Sequence, residues 1–292
     1  MLLEKTIVES IRQRFSCRKY LEEPIALEKR QNLEAFIANL PKGPFGAQAS
    51  FALVAANESD HNALKDLGTY GFIQGATGFI VGTTSDDGKN LEDYGYQMEQ
   101  IILYATALGL GTCWLGGTFS RSSFARKINA SDQAQIPAVV SIGEISNVAQ
   151  ARNGLLRRQI KADQRLAWEQ LFFERAFGVP LSQEAAGAYA LPLEMLRIGP
   201  SASNKQPWRV LREGTAWHFY LQRTKGYRVG SLNRFLQIAD IQRLDMGIAI
   251  CHFDLSAREL GLSGNWVMAE PRLKLPDELT EYSVSWIENT GV

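Results

Sequence analysis

Residues 91–111 read LEDYGYQMEQIILYATALGLG, and residues 244–264 read LDMGIAICHFDLSARELGLSG. Both stretches are long, mostly apolar and end in glycine, so each predicts a long buried helix. Any α+β protein offers two helices followed by strands, but matches at one fixed offset favour duplication of a single unit. The two stretches align without a gap, and the aligned pairs include Asp93 with Asp245, Gly95 with Gly247, and Leu-Gly-Leu at 108–110 with the same triplet at 260–262.

The elements around the two helices recur in a similar order. In the first set, the periodicity predicts helices over 4–14 and 22–40 and strands over 51–57, 78–84, 112–117 and 136–144. In the second set, it predicts a helix over 181–199, a strand pair over 208–223 and a strand over 265–270. The polar stretch between the two sets, residues 147–165, is interpreted as a linker or a surface arm.

The composition is that of an ordinary soluble globular protein of 292 residues, with 45% apolar and 21% charged residues. A formal net charge of zero gives no reason to expect nucleic acid or an anionic membrane as a partner. No apolar run reaches the length of a membrane span, and the N-terminus lacks the features of a signal peptide, so we expect a cytoplasmic protein. The three cysteines and three histidines are scattered, so we expect neither a disulfide framework nor a metal site.

The segment RQRFSCRKY (12–20) contains alternating polar side chains near the start of the first set. In an extended chain, alternation places Arg14, Ser16 and Arg18 on one face. Two guanidinium groups beside a hydroxyl suit an anion such as a phosphate. The segment FERAFGVPL (173–181), at the corresponding place in the second set, has no such triplet. The alternative is a solvated basic edge without a ligand.

The segment GPSASNKQPW (199–208) occurs once, in the second set. Aligned on the strands, the first set has GPFGAQASF (43–51) there, and it carries apolar residues where the second carries Ser201, Asn204 and Gln206. Backbone N–H groups and short polar side chains in such a turn suit a polyhydroxylated or anionic ligand. The alternative is a helix cap and a turn before a strand. Each set would then keep half of a polar site, as expected if one ligand lies between the two.

These motifs resemble the FMN-dependent nitroreductase superfamily. The resemblance rests on RxSxRKY, on PSASNxQPW before a strand, and on the long helix ending in ALGLGTCWLGG, and it extends over most of the chain. It is strongest to the branch in which two half-length modules are fused into one pseudo-dimer. The resemblance implies an α+β nitroreductase-like fold with mixed or antiparallel sheets flanked by helices. It implies modules over 1–165 and 166–292, intertwined as one compact unit, and a monomer that at most dimerises weakly.

The resemblance also implies the residues that hold FMN. Its pattern assigns Arg14 and Ser16 to the phosphate, Arg18 to the pyrimidine edge of the flavin, and Arg165 to the phosphate as well, with Arg152 and Arg157 as alternatives. The segment from the other module contributes ribityl and phosphate contacts, and the strand after the first long helix contributes backbone contacts to the ring. The residues assigned in the segment from the other module are Pro200, Ser201, Ala202, Ser203, Asn204 and Gln206. Those assigned in the strand are Leu115, Gly116 and Gly117, and those assigned to the pyrimidine edge, beside Arg18, are Tyr70 and Gly71.

The chemistry implied by the resemblance is hydride transfer from NADH or NADPH through FMN to an electron-poor small molecule, a nitroaromatic or a quinone. Such chemistry belongs largely to the cofactor, so no catalytic side chain is assigned. Three alternatives stay open. The protein could be a flavin enzyme with another reaction, a flavin-binding or storage protein without turnover, or a degenerate scaffold that acts through protein interactions.

Overall fold

The computed structural model describes residues 5–47, 49–56, 64, 67, 69, 71–85, 88–117, 119–131, 134–146, 164–227 and 239–289. We refer to residues 5–146 as the first half and to residues 164–289 as the second half. The first half contains helices α1 (Ile7–Gln13), α2 (Leu27–Ala38), α3 (Asn90–Ala107) and α4 (Arg121–Lys127) and strands β1 (Ser50–Ala55), β2 (Gly78–Thr83), β3 (Gly111–Leu115) and β4 (Val139–Gly143).

The second half begins with two short elements, helix α5 (Trp168–Leu171) and strand β5 (Phe172–Glu174). It continues with helices α6 (Gln183–Ala186), α7 (Ala190–Arg197) and α8 (Ile241–Glu259) and strands β6 (Trp208–Glu213), β7 (Ala216–Gln222), β8 (Gly264–Val267) and β9 (Thr280–Glu288). Short 3₁₀ turns cover Gly187–Tyr189 and Ala202–Asn204.

Each half has its own sheet, and the two sheets share one strand order. The first sheet runs β1-β2-β4-β3 and is antiparallel throughout. The second runs β5-β6-β7-β9-β8, antiparallel except where β5 joins β6 in parallel. Without β5, both sheets have the order first, second, fourth, third strand. The α+β class and the antiparallel or mixed sheets predicted from the sequence are confirmed.

The two long helices end in the same way, which explains the repeated Leu-Gly-Leu triplet. Gly109 and Gly261 have φ of 79° and 75°, a left-handed conformation that glycine adopts without steric cost. The next residue in each case, Leu110 or Leu262, donates its N–H to a carbonyl five residues back at 2.9 Å. This bond is the six-to-one bond of a Schellman motif, and it directs the chain from each helix into the following strand.

Helices α3 and α8 cross at the two glycines that the sequence alignment matched. A Cβ atom built on Gly95 would collide with the carbonyl oxygen of Leu244, and one built on Gly247 would collide with the carbonyl oxygen of Glu92. Leu244 and Glu92 are themselves a matched pair in the gapless alignment. The contact is therefore reciprocal, and backbone approaches backbone because neither helix carries a side chain there.

The hydrophobic cores of the two halves interlock. Ile11, Tyr96 and Leu103 of the first half pack into the core of the second half, which contains Trp208 and Trp217. In the opposite direction, Leu244 packs into a core of the first half. The N-terminus of α1 is also held from the second half, because Glu259 accepts hydrogen bonds from Ile7 N at 2.6 Å and Val8 N at 3.1 Å.

The structure differs from the sequence-based elements in several places. The predicted helix over 181–199 is divided, because Gly187 has a φ of 56° at the end of α6. Helix α4 and strands β5 and β9 were not predicted, although Tyr282, Val284 and Trp286 alternate in β9 as a strand requires. Within the part of the chain that the structure describes, no helix has the length and apolar character needed to cross a membrane.

Candidate functional site

A cavity lies where the two halves meet, beside the crossing of the long helices. The first half supplies the end of the segment after α1 and the end of β3, and the second half supplies the 199–206 turn and the first two turns of α8. Its lining residues are Ser16, Arg18, Trp114, Gly116, Ala138, Pro200, Ser201, Ala202, Ser203, Ile241, Leu244, Asp245 and Ile248.

The segment after α1 reaches the cavity because it is held in an extended form. Cys17 donates its N–H to Thr112 O at 2.8 Å, and the carbonyl of Arg18 accepts from Gln74 N at 2.9 Å. Ser16 and Arg18 therefore share the cavity side, while the intervening Cys17 is fully buried. The Nη1 atom of Arg18 is also buried and has no hydrogen-bond partner among the described residues. A buried guanidinium N–H without a hydrogen-bond partner costs free energy. Arg18 therefore offers the cavity a donor that suits a ligand.

Arg14, the other cation of this segment, lies against a buried carboxylate and is not among the lining residues. Its side chain is 6% exposed, and its Nε lies 3.6 Å from Glu99 Oε1. Glu99 is also bonded to His252 Nε2 at 2.9 Å and accepts from Trp114 Nε1 at 2.8 Å. Burial acts to raise the pKa of Glu99, but the hydrogen bond and charge of His252, with the charge of Arg14, hold that pKa below its usual value. Arg14 is thus part of a buried cluster that joins α3 to α8.

The second wall is a strained turn. Ser203, Asn204 and Gln206 have φ of 50°, 55° and 49°, and they are three of the five non-glycine residues with positive φ in the described ranges. Such conformations cost of order 1–3 kcal/mol each and cluster at functional sites. Ser201 Oγ closes the turn by accepting from Gln206 N at 2.8 Å. The turn places Pro200, Ser201, Ala202 and Ser203 on the cavity.

The larger polar side chains of this turn contact the chain that enters the second half. Asn204 Nδ2 donates to Gln164 O at 2.8 Å, and Gln206 Oε1 accepts from Leu166 N at 2.8 Å. Arg165 donates to Asn204 Oδ1 at 3.2 Å and to Ile198 O at 2.8 Å. The structure therefore places Asn204, Gln206 and Arg165 in one clamp rather than on the cavity wall, although the sequence assigned all three to the ligand.

The end of β3 brings one of its three predicted residues to the cavity. Gly116 lines it, and a Cβ there would lie 3.1 Å from Ile241 Cδ1. Leu115 is buried in a core of the first half, and Gly117 is exposed. Gly71 is exposed, with a φ of 76°, and does not line the cavity. The predictions for Tyr70, and for Arg152 and Arg157, lie outside the described residues.

Asp245 is the titratable lining residue that the sequence reasoning missed. Its Oδ1 accepts from Ala202 N at 3.0 Å, and its Oδ2 is buried without a hydrogen-bond partner among the described residues. Burial raises the pKa of Asp245 to about 8; the Ala202 hydrogen bond opposes this rise, and the charge of Asp240 adds to it. Its alignment with Asp93 was visible in the sequence, but nothing there indicated that one of the two carboxyls faces a cavity.

The donors and shape of the cavity fit an anionic, hydroxyl-bearing ligand. Arg18 supplies a cation with a buried donor, and Ser16, Ser201 and Ser203 supply hydroxyl groups. Trp114, Ile241 and Ile248 add apolar surface to the lining. The enclosed volume is about 130 Å³, below the roughly 300–1,000 Å³ of pockets that enclose a drug-sized ligand. A cavity of this size would enclose only part of such a ligand.

Comparison with known proteins places the whole chain in one group. A family model described as "Putative TM nitroreductase" matches residues 6–257. A crystal structure of a putative nitroreductase from Thermotoga maritima MSB8 has a TM-score of 0.61 at 20% identity, covering 98% of this chain and 95% of that one. None of the curated proteins matches the sequence.

Two shorter proteins match about half of the chain. A nitroreductase family protein from Clostridium difficile 630 is 18% identical and covers 56% of this chain and 98% of its own, with a TM-score of 0.38. A putative nitroreductase from Desulfovibrio desulfuricans, solved in complex with FMN, is 20% identical and covers 53% and 95%, with a TM-score of 0.39.

Proposed function

The chain belongs to the putative TM nitroreductase family, and from that premise we propose that it is an FMN-dependent oxidoreductase with one FMN between its halves. The observation that carries the proposal is the composition of the cavity wall. Ser16 and Arg18 come from the first half and the turn at 200–203 from the second, and the buried Arg18 Nη1 has no partner among the described residues. The two sequence motifs predict such a site, with one motif contributed by each half.

The residues on the wall would hold FMN by simple means. Arg18 provides a positive charge, which favours an anionic group beside it. Ser16, Ser201 and Ser203 provide hydroxyl groups, each of which can donate one hydrogen bond and accept others. Gly116 has no side chain, so a flat ring can approach the backbone at the end of β3. When bound, FMN supplies the capacity to accept and to donate a hydride.

The remaining wall residues would shape the site. Trp114, Ile241 and Ile248 are apolar residues of the lining and would exclude water from a bound flavin. The indole of Trp114 is fixed because its Nε1 donates to Glu99 Oε2 at 2.8 Å. Glu99 is itself held by His252 from the other long helix. The position of Trp114 thus depends on both halves.

If the duplication had kept a second site, the residue of the first half that aligns with Leu244 would line it, and the character of that residue supports a single site. Where Leu244 lines the cavity, the aligned residue is Glu92, which is buried and bonded to Arg243 Nη2 at 2.6 Å. Lys89 adds a second cation, 3.5 Å from Glu92. An ion pair thus occupies the place of an apolar wall residue. We therefore expect one FMN per chain and a single chain as the functional unit.

The electron donor and acceptor belong to the same proposal. NADH or NADPH would reduce the bound flavin, and an electron-poor nitroaromatic or quinone would then oxidise it. The test is anaerobic addition of NADH or NADPH to the FMN-loaded protein, with the flavin absorbance near 450 nm followed before and after addition of a nitroaromatic or a quinone. We expect bleaching by at least one nicotinamide and recovery with at least one acceptor.

The same measurement separates the proposal from its alternatives. Flavin that binds but is bleached by neither nicotinamide would contradict an oxidoreductase role and favour a flavin-binding protein. An Arg18→Ala variant provides the matched comparison, since it removes the cation of the cavity wall, and we expect its FMN affinity to fall about tenfold. Arg126→Ala, which removes an exposed cation of α4, serves as its control and is expected to bind FMN normally.

A further inference from the structure

Asp93 and Asp245 occupy aligned positions on the two long helices and hold aligned loops. Asp93 Oδ1 accepts from Phe45 N at 3.0 Å, and Asp245 Oδ1 accepts from Ala202 N at 3.0 Å. When β1 is aligned with β6, Phe45 and Ala202 fall on the same position. Each carboxyl therefore anchors the loop that leads into the first long strand of its own half.

The second carboxylate oxygen distinguishes the two residues. Asp93 Oδ2 accepts from Ala47 N at 2.7 Å, so both oxygens of Asp93 are bonded to backbone. The residue aligned with Ala47 is Asn204, and its N–H donates to Ser201 O at 2.9 Å instead. Asp245 Oδ2 is thereby left without a hydrogen-bond partner among the described residues.

The strained turn is what withdraws that donor. Ser203 and Asn204 have φ of 50° and 55° in the turn that carries the N–H of Asn204 away from Asp245. A buried carboxyl oxygen without a partner costs free energy, and so does the turn. Both costs occur beside the cavity, which Asp245 lines although its residue exposure is only 2%. The buried, unpartnered oxygen and the cavity that Asp245 lines thus point to a ligand group that meets Asp245 Oδ2.

We infer that Asp245 Oδ2 forms a hydrogen bond with a hydroxyl group of the bound ligand, which under the proposed function is a hydroxyl of the ribityl chain of FMN. The neighbours of Asp245 on the wall include the hydroxyl groups of Ser201 and Ser203. A ligand hydroxyl can donate to a carboxylate and can accept from a carboxylic acid, so it pairs with either form. A phosphate oxygen would be repelled by the ionised form, and an aromatic ring face offers no hydrogen-bonding group.

The test compares flavins with and without the hydroxylated chain. The full chain, freed of flavin, is titrated with FMN, riboflavin and lumiflavin, which lacks the ribityl group, and binding is followed by flavin fluorescence. For Asp245→Ala we expect about tenfold weaker binding of FMN and of riboflavin, and less than threefold change for lumiflavin. Asp245→Asn keeps an acceptor for Ala202 N and a hydrogen-bonding group at the Oδ2 position, so it should recover part of the affinity.

Asp93→Ala is the matched control, because it removes the equivalent loop anchor in the first half. We expect it to lower the melting temperature and to leave FMN affinity within threefold. Unchanged riboflavin binding in Asp245→Ala would overturn the inference, as would an equal loss for lumiflavin and riboflavin. If Asp245→Ala does not fold, Asp245→Asn decides: it must weaken riboflavin more than lumiflavin. Failure of the unaltered protein to bind any flavin would instead refute the proposed function.

Discussion

The buried charges of this protein differ in whether protein groups neutralise them. Glu99 and His252 are both fully buried, and they pair at 2.9 Å with Arg14 nearby. Removing one partner of such a cluster leaves an uncompensated buried charge, which costs about 3–5 kcal/mol. Among the described residues, no cation is bonded to Asp245, and only one of its oxygens has a hydrogen-bond partner. Burial therefore disfavours the ionised form of Asp245 and raises its pKa.

The raised pKa of Asp245 makes stability depend on pH. Its pKa is about 8 in the folded protein and about 3.9 in an unfolded chain. Between these values the folded state binds the extra proton, so stability is full at low pH and falls as pH rises towards 8. We predict that Asp245→Asn, which does not titrate, flattens the fall in melting temperature between pH 6.5 and pH 8.5.

Asp93→Asn is the control for that prediction. Burial raises the pKa of Asp93 only to about 6, because the N–H groups of Phe45 and Ala47 oppose the effect of burial. Asp93 therefore contributes to the pH dependence of stability mainly below pH 6.5. The melting temperature of Asp93→Asn should follow the pH slope of the unaltered protein between pH 6.5 and pH 8.5. Equal slopes in Asp245→Asn and in the unaltered protein would show that Asp245 is ionised across the whole window.

Among the elements, the crossing of α3 and α8 decides how the halves fit together. Gly95 and Gly247 allow the two backbones to touch, and each glycine faces the carbonyl of the other helix. An interior is packed too densely to absorb an added carbon where backbone lies opposite. The cavity is formed beside this crossing by Leu244, Asp245 and Ile248 of α8. Any separation of the helices would therefore also change the shape of the cavity.

We predict that Gly247→Ala destabilises the protein by about 3 kcal/mol, as overpacking does, measured by urea unfolding. In an exposed helix the same change would stabilise by about 1 kcal/mol, so the sign of the effect is diagnostic. Gly117→Ala is the control, since a Cβ there meets no atom of the described residues within 4 Å. A Gly247→Ala protein as stable as the unaltered one would contradict a backbone contact at this crossing.

The sequence predicts best those elements whose pattern lies within a short stretch of the chain. The apolar period identified the two long helices, and the Leu-Gly-Leu triplets marked their ends because a Schellman motif needs glycine at one position. Alternation correctly placed Ser16 and Arg18 on one side. The partners of Arg14, Asn204 and Gln206 could not be predicted, because Glu99, Gln164 and Leu166 reach them only through the tertiary fold. Asp245 was missed for the same reason.

At the scale of the whole molecule, two similar halves meet at a cavity that both of them line unequally. Their sheets share a strand order and their cores exchange side chains. The halves differ at the positions that would make a second cavity. Glu92 is paired with Arg243 where Leu244 forms a wall, and Asp93 Oδ2 accepts from Ala47 N where Asp245 Oδ2 has no partner among the described residues. The proposed single ligand site in a duplicated fold would account for both the likeness and the differences.

The stoichiometry of flavin binding tests this account most directly. The full chain is saturated with FMN, the unbound portion is removed, and the flavin absorbance is divided by the protein concentration. The account predicts one FMN per chain, in a protein whose mass in solution is that of a single chain. Two FMN per chain would contradict the single site, and no binding at any concentration tested would contradict the flavin site itself.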